Sequence, residues 1–325
     1  STDGYSRQDI ALAANPVAKV GTVYLGTGVT VDGIKRQYDA FVETNMRNSN
    51  SDLASQEPMV NYANRVIDIM GSTSMGLSGA LDQFFNAARD LSSDPASTVM
   101  RGSFLRDSEN LAARFGELSS QLDLVQNETD EAVKGYVNSM NTIFKQLAAV
   151  NTQLTKQKSV DLQPADLLDQ RDVLLKDLSS YAHINTGFAE NGAVTVSLGP
   201  SLTRDVAVDG VNSFMLGTNF NSAAPEKVSL VLDPYGNATP LTGLSGGKLA
   251  GIMSFREQVL GSSRSSLDTL ANNFVKEVNA IHTAGIDAYG NNGTDLFSID
   301  ASGVGAAGTV KVNIITPDAQ WPKLD

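Results

Sequence analysis

The sequence predicts an α+β chain: an elongated antiparallel helical bundle, or rod, with a small β-rich inserted domain and the truncated start of a second β region. Three features lead to this reading. Apolar and small residues recur at heptad spacing from Phe115 to Leu154, the signature of a long helix with one buried face. Between His183 and Thr242 the pattern changes to β-branched residues in alternation, broken by Gly, Pro, Asn and Asp. Helical periodicity then returns, so the β segment interrupts a helical unit. At 325 residues the chain exceeds one ordinary hydrophobic core, which makes two or three folding units the expectation.

Taken in order, residues 1–34 alternate short apolar runs with turn signals and predict extended chain or a hairpin, with a turn at Asp32-Gly33. Helix is expected from Lys35 through Tyr38, Phe41 and Val42 toward Ile67 and Met70, with Pro58 marking a first turn or a bend rather than a helix interior. The run "GSTSMGLS" reads as a loop. A short amphipathic helix follows, carrying Leu77, Leu81, Phe84, Phe85, Ala88 and Leu91 on one face and stopping before Asp94-Pro95.

The long helix is expected from about Ala96 to about Lys156, on the order of 90 Å at 1.5 Å per residue. Its stripe runs Phe115, Leu118, Leu122, Val125, Thr129, Ala132, Tyr136, Met140, Ile143, Leu147, Val150 and Leu154, with an extra four-residue step from Tyr136 to Met140. We read it as the core of a monomeric bundle rather than a subunit seam. After Pro164 a further helix carries "LLDQRDVLL", and after the β segment helix resumes from about Leu244 to Ala284. The stripe of that return helix is Leu249, Ile252, Leu260, Leu267, Leu270, Phe274, Val278 and Ile281, with Gly285 as its C-terminal cap. The domains expected are therefore a helical rod from 1–182 plus 243–285, a β insertion at 183–242, and the beginning of a further β domain at 286–325.

Composition narrows the function. The formal charge is −12, from 24 basic and 36 acidic residues, with no long basic run, so nucleic acid and anionic membrane are poor partners. Cysteine is absent, which excludes disulfides, thiolate metal sites and a cysteine nucleophile. His183 and His282 are the two histidines, Trp321 is the one tryptophan, and aromatics make up 6% of the chain. Neither an imidazole-based catalytic site nor an aromatic-lined ligand pocket is indicated. No apolar run reaches the roughly 20 residues that span a bilayer. No secretory signal is visible after Ser1, where the chain reads as starting in mid-protein.

Two arginines stand out. Arg171 has Leu167, Leu168, Leu174 and Leu175 at its helix-face positions, and Arg256 has Ile252, Met253, Val259 and Leu260. A catalytic grouping of Asp169, Arg171 and Asp172 is disfavoured, because on a helix the two aspartates lie about 160° and 100° around the axis from the arginine. Asp172 is expected to pair with Lys176 instead. Since an arginine head is costly to bury alone, both arginines are expected to act as interhelical fasteners, with acceptors on a neighbouring helix. Asp287, Asn291, Asn292 and Asp295 lack EF-hand spacing and predict a turn, so no cofactor or metal is expected. His282 reads as a core or helix-end histidine.

Five segments, "TDGYSRQ" (2–8), "YLGTGVTVDGIKRQYDAFV" (24–42), "LLDQRDVLL" (167–175), "GGKLAGIMSFRE" (246–257) and "LANNFVKEVNAIHTAGIDAYGNNGTDLF" (270–297), together resemble the family of bacterial flagellar hook-associated protein 1. The motif residues that carry the resemblance include Gly4, Tyr5, Ser6, Arg7, Gln8, Asp169, Gln170, Asp172, Asn279, His282 and Gly285. The resemblance implies a non-catalytic structural protein outside the cell, exported by the flagellar type III pathway and assembled as an adaptor ring that joins hook to filament and is needed for filament assembly. It implies the hook protein, the second junction protein, further copies of itself and an export chaperone as partners. Family members have terminal helices before "TDGYSRQ" and at the C-terminal end that this sequence lacks, so it reads as a fragment. The competing class is a surface-exposed adhesion or ligand-binding module built on the β regions, and a cell-wall hydrolase is the third.

Overall fold

In the computed structural model the described residues are 8–20, 22–36, 38–71, 76–199, 201–233, 236–286, 290–302 and 304–314. Strand β1 (Gln8–Ala14) leads through a small hairpin of β2 (Ala18–Val20) and β3 (Val23–Leu25) to β4 (Val29–Arg36), which pairs antiparallel with β1. Ala11 faces Gly33 while Leu12 faces Val31, so Asp32 is the extra residue of a β-bulge and the expected Asp32-Gly33 turn is part of a strand. The strand also takes Lys35 and Arg36, which the sequence reading placed in helix. Helix α1 (Ala40–Gly71) starts behind Asp39 instead, whose carboxylate accepts the N–H groups of Phe41 and Val42 at 2.9 and 3.2 Å.

Pro58 lies inside α1, against expectation. The ring removes one helical hydrogen bond, but Pro58 is itself buried, and burial of the ring offsets part of that loss. Helix α2 (Leu77–Ser93) ends at Asp94, and α3 (Thr98–Leu154) continues for 57 residues, about 85 Å at 1.5 Å per residue. Its buried positions run through Thr129, Val133, Val137 and Met140. The extra four-residue step therefore comes before Val137, and Ala132 and Tyr136, assigned to the stripe by spacing, lie beside it half-buried.

A short 3₁₀ turn at Val160–Leu162 precedes α4 (Ala165–Ser179). Strands β5 (Asn185–Phe188), β6 (Val194–Ser197), β7 (Val206–Asp209) and β8 (Asn212–Ser213) follow as an antiparallel meander. A second sheet has the order β11-β10-β9, from β9 (Met215–Phe220), β10 (Val228–Asp233) and β11 (Thr239–Pro240). The return helix is α5 (Gly247–Phe255), one π-helical turn at Arg256–Leu260, and α6 (Gly261–Ala284). Strands β12 (Phe297–Ser298) and β13 (Lys311–Val312) pair antiparallel. Among the described residues, no helix is long and apolar enough to cross a membrane.

The predicted stripe holds at Leu249, Ile252, Leu260 and Leu267, with Phe274 and Val278 partly buried, whereas Leu270 and Ile281 are 44% and 76% exposed and Ala271 and Val275 are buried in their stead. Gly285 is the C-cap, but with φ −72° and ψ 160° it leaves the helix as extended chain, without the left-handed turn that makes glycine useful there.

The chain forms two compact units. The first comprises Ser1–Glu57, Lys134–Asn219 and Ser229–Gly251. Within it Leu147, Leu154, Leu175 and Leu178 are buried, as are Val194, Val196 and Val208 of the meander. Two glycines of "GGKLAG" permit close backbone approaches here. Gly247 has φ +65° and a Cβ on it would fall 2.1 Å from the Tyr181 carbonyl carbon, while one on Gly251 would fall 2.1 Å from the Ser55 carbonyl oxygen. The second unit comprises Pro58–Val133, Phe220–Val228 and Ile252–Asp325. Its core gathers Leu111, Phe115, Leu122, Phe255, Leu260 and Leu267 around an aromatic cluster in which Phe84 lies 5.3 Å from Phe104 and from Phe274 and 5.9 Å from Phe297.

Candidate functional site

The most concentrated chemistry in the first unit surrounds Arg171 on α4. Its side chain is 4% exposed, and its Nη1 donates to the Gly192 carbonyl in the turn between β5 and β6 at 2.6 Å. Nε and Nη2 both donate to one oxygen of Asp172, at 2.9 and 2.7 Å. The other Asp172 oxygen accepts from Arg36 at 2.8 Å, and Arg36 also lies 2.7 Å from Asp169. Two guanidinium and two carboxylate groups thus form a net-neutral buried cluster, the arrangement under which buried charge is tolerated. The Phe188 ring lies 4.6 Å from the Arg171 guanidinium carbon, and Tyr38 lies 5.7 Å from that of Arg36.

This corrects the expectation that Asp169 and Asp172 do not converge and that Asp172 points away from Arg171. The angular argument describes where Cβ atoms leave the helix, whereas an arginine stem is long enough for its fork to come round the axis to the next residue. Convergence is completed by Arg36, which arrives from a strand distant in sequence. The acceptors of Arg171 lie on its own helix and in a hairpin turn, not on a neighbouring helix. Gln170, between these residues, is exposed.

In the second unit Arg256 is the first residue of the π turn and is fully buried. Its Nη1 donates to Thr129 Oγ1 at 2.6 Å and to the Gln126 carbonyl at 3.4 Å, and lies 2.5 Å from Asp130. Nη2 donates to the Pro225 carbonyl at 2.5 Å, which Gln126 Nε2 also reaches at 2.5 Å. Burial pulls the Arg256 pKa below its ordinary value, and the Asp130 carboxylate opposes that shift. The head therefore meets one turn of α3 and the loop before β10.

The motif residues at the end of α6 fasten a loop. Asn279 pairs with both backbone groups of Phe297, donating at 2.8 Å and accepting at 3.0 Å, and His282 Nδ1 meets the Thr294 carbonyl. Gly285 accepts the Gly293 N–H at 2.9 Å, and Ile286 and Asn292 form a β-bridge. Gly4, Tyr5, Ser6, Arg7, Asp287 and Trp321 lie outside the described residues, and Gln8 is described only as the first residue of β1.

Two residues of the same kind went unrecognised in the sequence. Asn151, buried on α3, donates to the carbonyls of Val194 and Gly210 at 2.7 and 2.6 Å and accepts the Val194 N–H at 2.8 Å. Asn141 pairs in the same way with Leu216, at 2.8 Å in both directions. Their signal was an amide directly after a stripe residue, in Met140-Asn141, Val150-Asn151 and Val278-Asn279. A cavity of about 310 Å³ in the meander is lined by Thr195, Leu202, Thr203, Asp205, Val206, Asp209 and Phe214, none of which belongs to either arginine cluster. The buried charges are thus matched by opposite charge, although Nε of Arg256 has no hydrogen-bond partner among the described residues, and both clusters are suited to holding elements together.

Comparison with known proteins agrees with this structural character. Residues 63–297 match the family described as flagellar hook-associated protein FlgK helical domain. Flagellar hook-associated protein 1 of Salmonella typhimurium is 31% identical over 91% of this chain, that of Escherichia coli 29% over 91%, and that of Bacillus subtilis 26% over 96%. The chain spans about half the length of the first two, 54% of each. The solved structure of the flagellar hook junction protein FlgK from Burkholderia pseudomallei superposes with a TM-score of 0.72 at 23% identity, covering 79% of this chain and 47% of that one, a likeness of fold. With the helical-domain match extending across most of its length, the chain belongs to the flagellar hook-associated protein FlgK family.

Proposed function

We propose that this chain is the helical and inserted-β part of an adaptor that joins the flagellar hook to the filament by subunit packing, without turnover. It is a structural protein of the bacterial flagellum, and the observation that carries the reading is the match of residues 63–297 to the FlgK helical domain. In the reading, the protein leaves the cell through the type III export channel with an export chaperone as partner. It then forms a ring between the hook protein and the second junction protein. Residues 1–182 with 243–285 act as the helical domain, 183–242 as its insertion, and 286–325 as the start of a further β domain. Arg171 and Arg256 serve as fasteners within it: internally neutral clusters hold distant segments in register and offer no free reactive group.

The test is genetic and structural. Cells lacking the full-length gene are expected to carry hooks without filaments and to release monomeric flagellin into the medium, and the intact gene should restore filaments. Motile cells with normal filaments in the deletion strain would exclude the junction role.

A further inference from the structure

The cluster at Arg171 contains a residue that belongs to neither α4 nor the meander. Arg36 closes β4, and with Tyr38 it flanks the point at which the β1–β4 ribbon joins the chain leading into α1. The strands β1 and β4 make their close approaches chiefly to each other. A two-stranded ribbon is marginal in water unless something else fixes it. Among its described side chains Ile10, Leu12, Val29 and Val31 are each 63–65% accessible, so burial of these four does not hold it down. At its base, by contrast, the Arg36 side chain is 8% exposed and touches two carboxylates that are 15% and 11% exposed.

We propose that Arg36, Asp169 and Asp172, with Arg171 behind them, form a clasp that sets the direction in which the β1–β4 ribbon leaves its unit. Asp172 is the shared member. One of its oxygens takes Arg36 and the other takes Arg171, which is anchored to Gly192. Through that carboxylate the ribbon is tied to α4 and to the β5–β6 turn together. The fork of Arg36 reaches Asp169 and Asp172 from one Nη2, so position matters as well as charge. Opening the clasp frees the ribbon while leaving the leucines of α4 and the stripe of α3 in place. The clasp goes beyond the junction role and does not depend on it.

Hydrogen–deuterium exchange on the unassembled full-length protein tests it. In Arg36→Met, which keeps an apolar stem but loses the fork, amides of 8–36 are expected to exchange more than tenfold faster than in the parent, with α3 within about twofold. Arg36→Lys, which keeps the charge, is expected to fall between them, and Asp169→Asn provides an independent opening should Arg36→Met not fold. Exchange of 8–36 unchanged in both Arg36→Met and Asp169→Asn would overturn the clasp. So would an acceleration spread equally through α3 and α4, which would make the cluster part of general core stability. A lysine variant as loose as the methionine variant would also overturn it. These readings need no filament, so they stand or fall separately from the deletion phenotype.

Discussion

Arg256 and Asp130 meet at 2.5 Å across the whole intervening β segment, with the arginine fully buried and the aspartate side chain 23% exposed. The pair is supported by Thr129 Oγ1 and by two backbone carbonyls, which keeps a buried guanidinium tolerable. Arg256→Met should therefore cost about 3 kcal/mol, because it leaves the Asp130 carboxylate without its partner cation. Adding Asp130→Asn should recover part of the loss. Urea unfolding of parent, single and double variants measures the coupling, and equal losses in the single and double variants would show that Asp130 is not the partner.

Asn151→Ala should be more damaging than its size suggests. The side chain satisfies three backbone groups, so its removal is expected to cost about 3 kcal/mol or more, at about 1–3 kcal/mol per unsatisfied buried group. Asn141→Ala, with two such bonds, should cost less. A lowered urea midpoint at unchanged slope is the expected observation for each.

Glycine replacements should differ in sign. Gly247→Ala puts a methyl against the Tyr181 backbone at a left-handed φ, and a loss of about 2–4 kcal/mol follows from overpacking and strain combined. Gly135→Ala, on an exposed part of α3 with nothing within 4 Å, should stabilise by about 0.5–1 kcal/mol. Thermal unfolding of the two variants should shift in opposite directions.

Tyr62 should titrate late. Burial and then the Glu128 carboxylate raise its pKa, with Arg65 opposing, so the folded state keeps the phenol proton longer than the unfolded state. The contribution is intact below about pH 10 and is lost as pH rises through the folded value. Ultraviolet titration should place one tyrosine above the exposed ones, and Glu128→Gln should move it back toward the ordinary range.

Periodicity made much of the fold legible. The length of α3, the hairpin near the start, the β segment and the return helix are each repeated many times over in local pattern. What periodicity could not carry is what depends on one residue or on a distant partner. Asp32 and Gly33 look like a turn until Ala11 and Leu12 define a bulge opposite them. Pro58 looks like a boundary until packing holds the helix through it. The two arginines were visible as guanidinium groups among apolar neighbours, but Arg36 was not, because its carboxylates are contributed by a helix more than a hundred residues later. The Cβ directions of Arg171 and Asp172 diverge around the helix, but the arginine stem is long enough to bring its head back to the carboxylate.

The five-residue turn at Arg256–Leu260 bears on how relatives are aligned with this chain. A homologue whose helix ran through this point without the wider turn would need a one-residue gap against this chain. An ungapped alignment would match Ala271 and Val275, which face inward here, to its outward positions. Indels in this helix are therefore best placed at Arg256–Leu260, where a deletion would exchange one helical hydrogen-bonding pattern for another rather than break the helix.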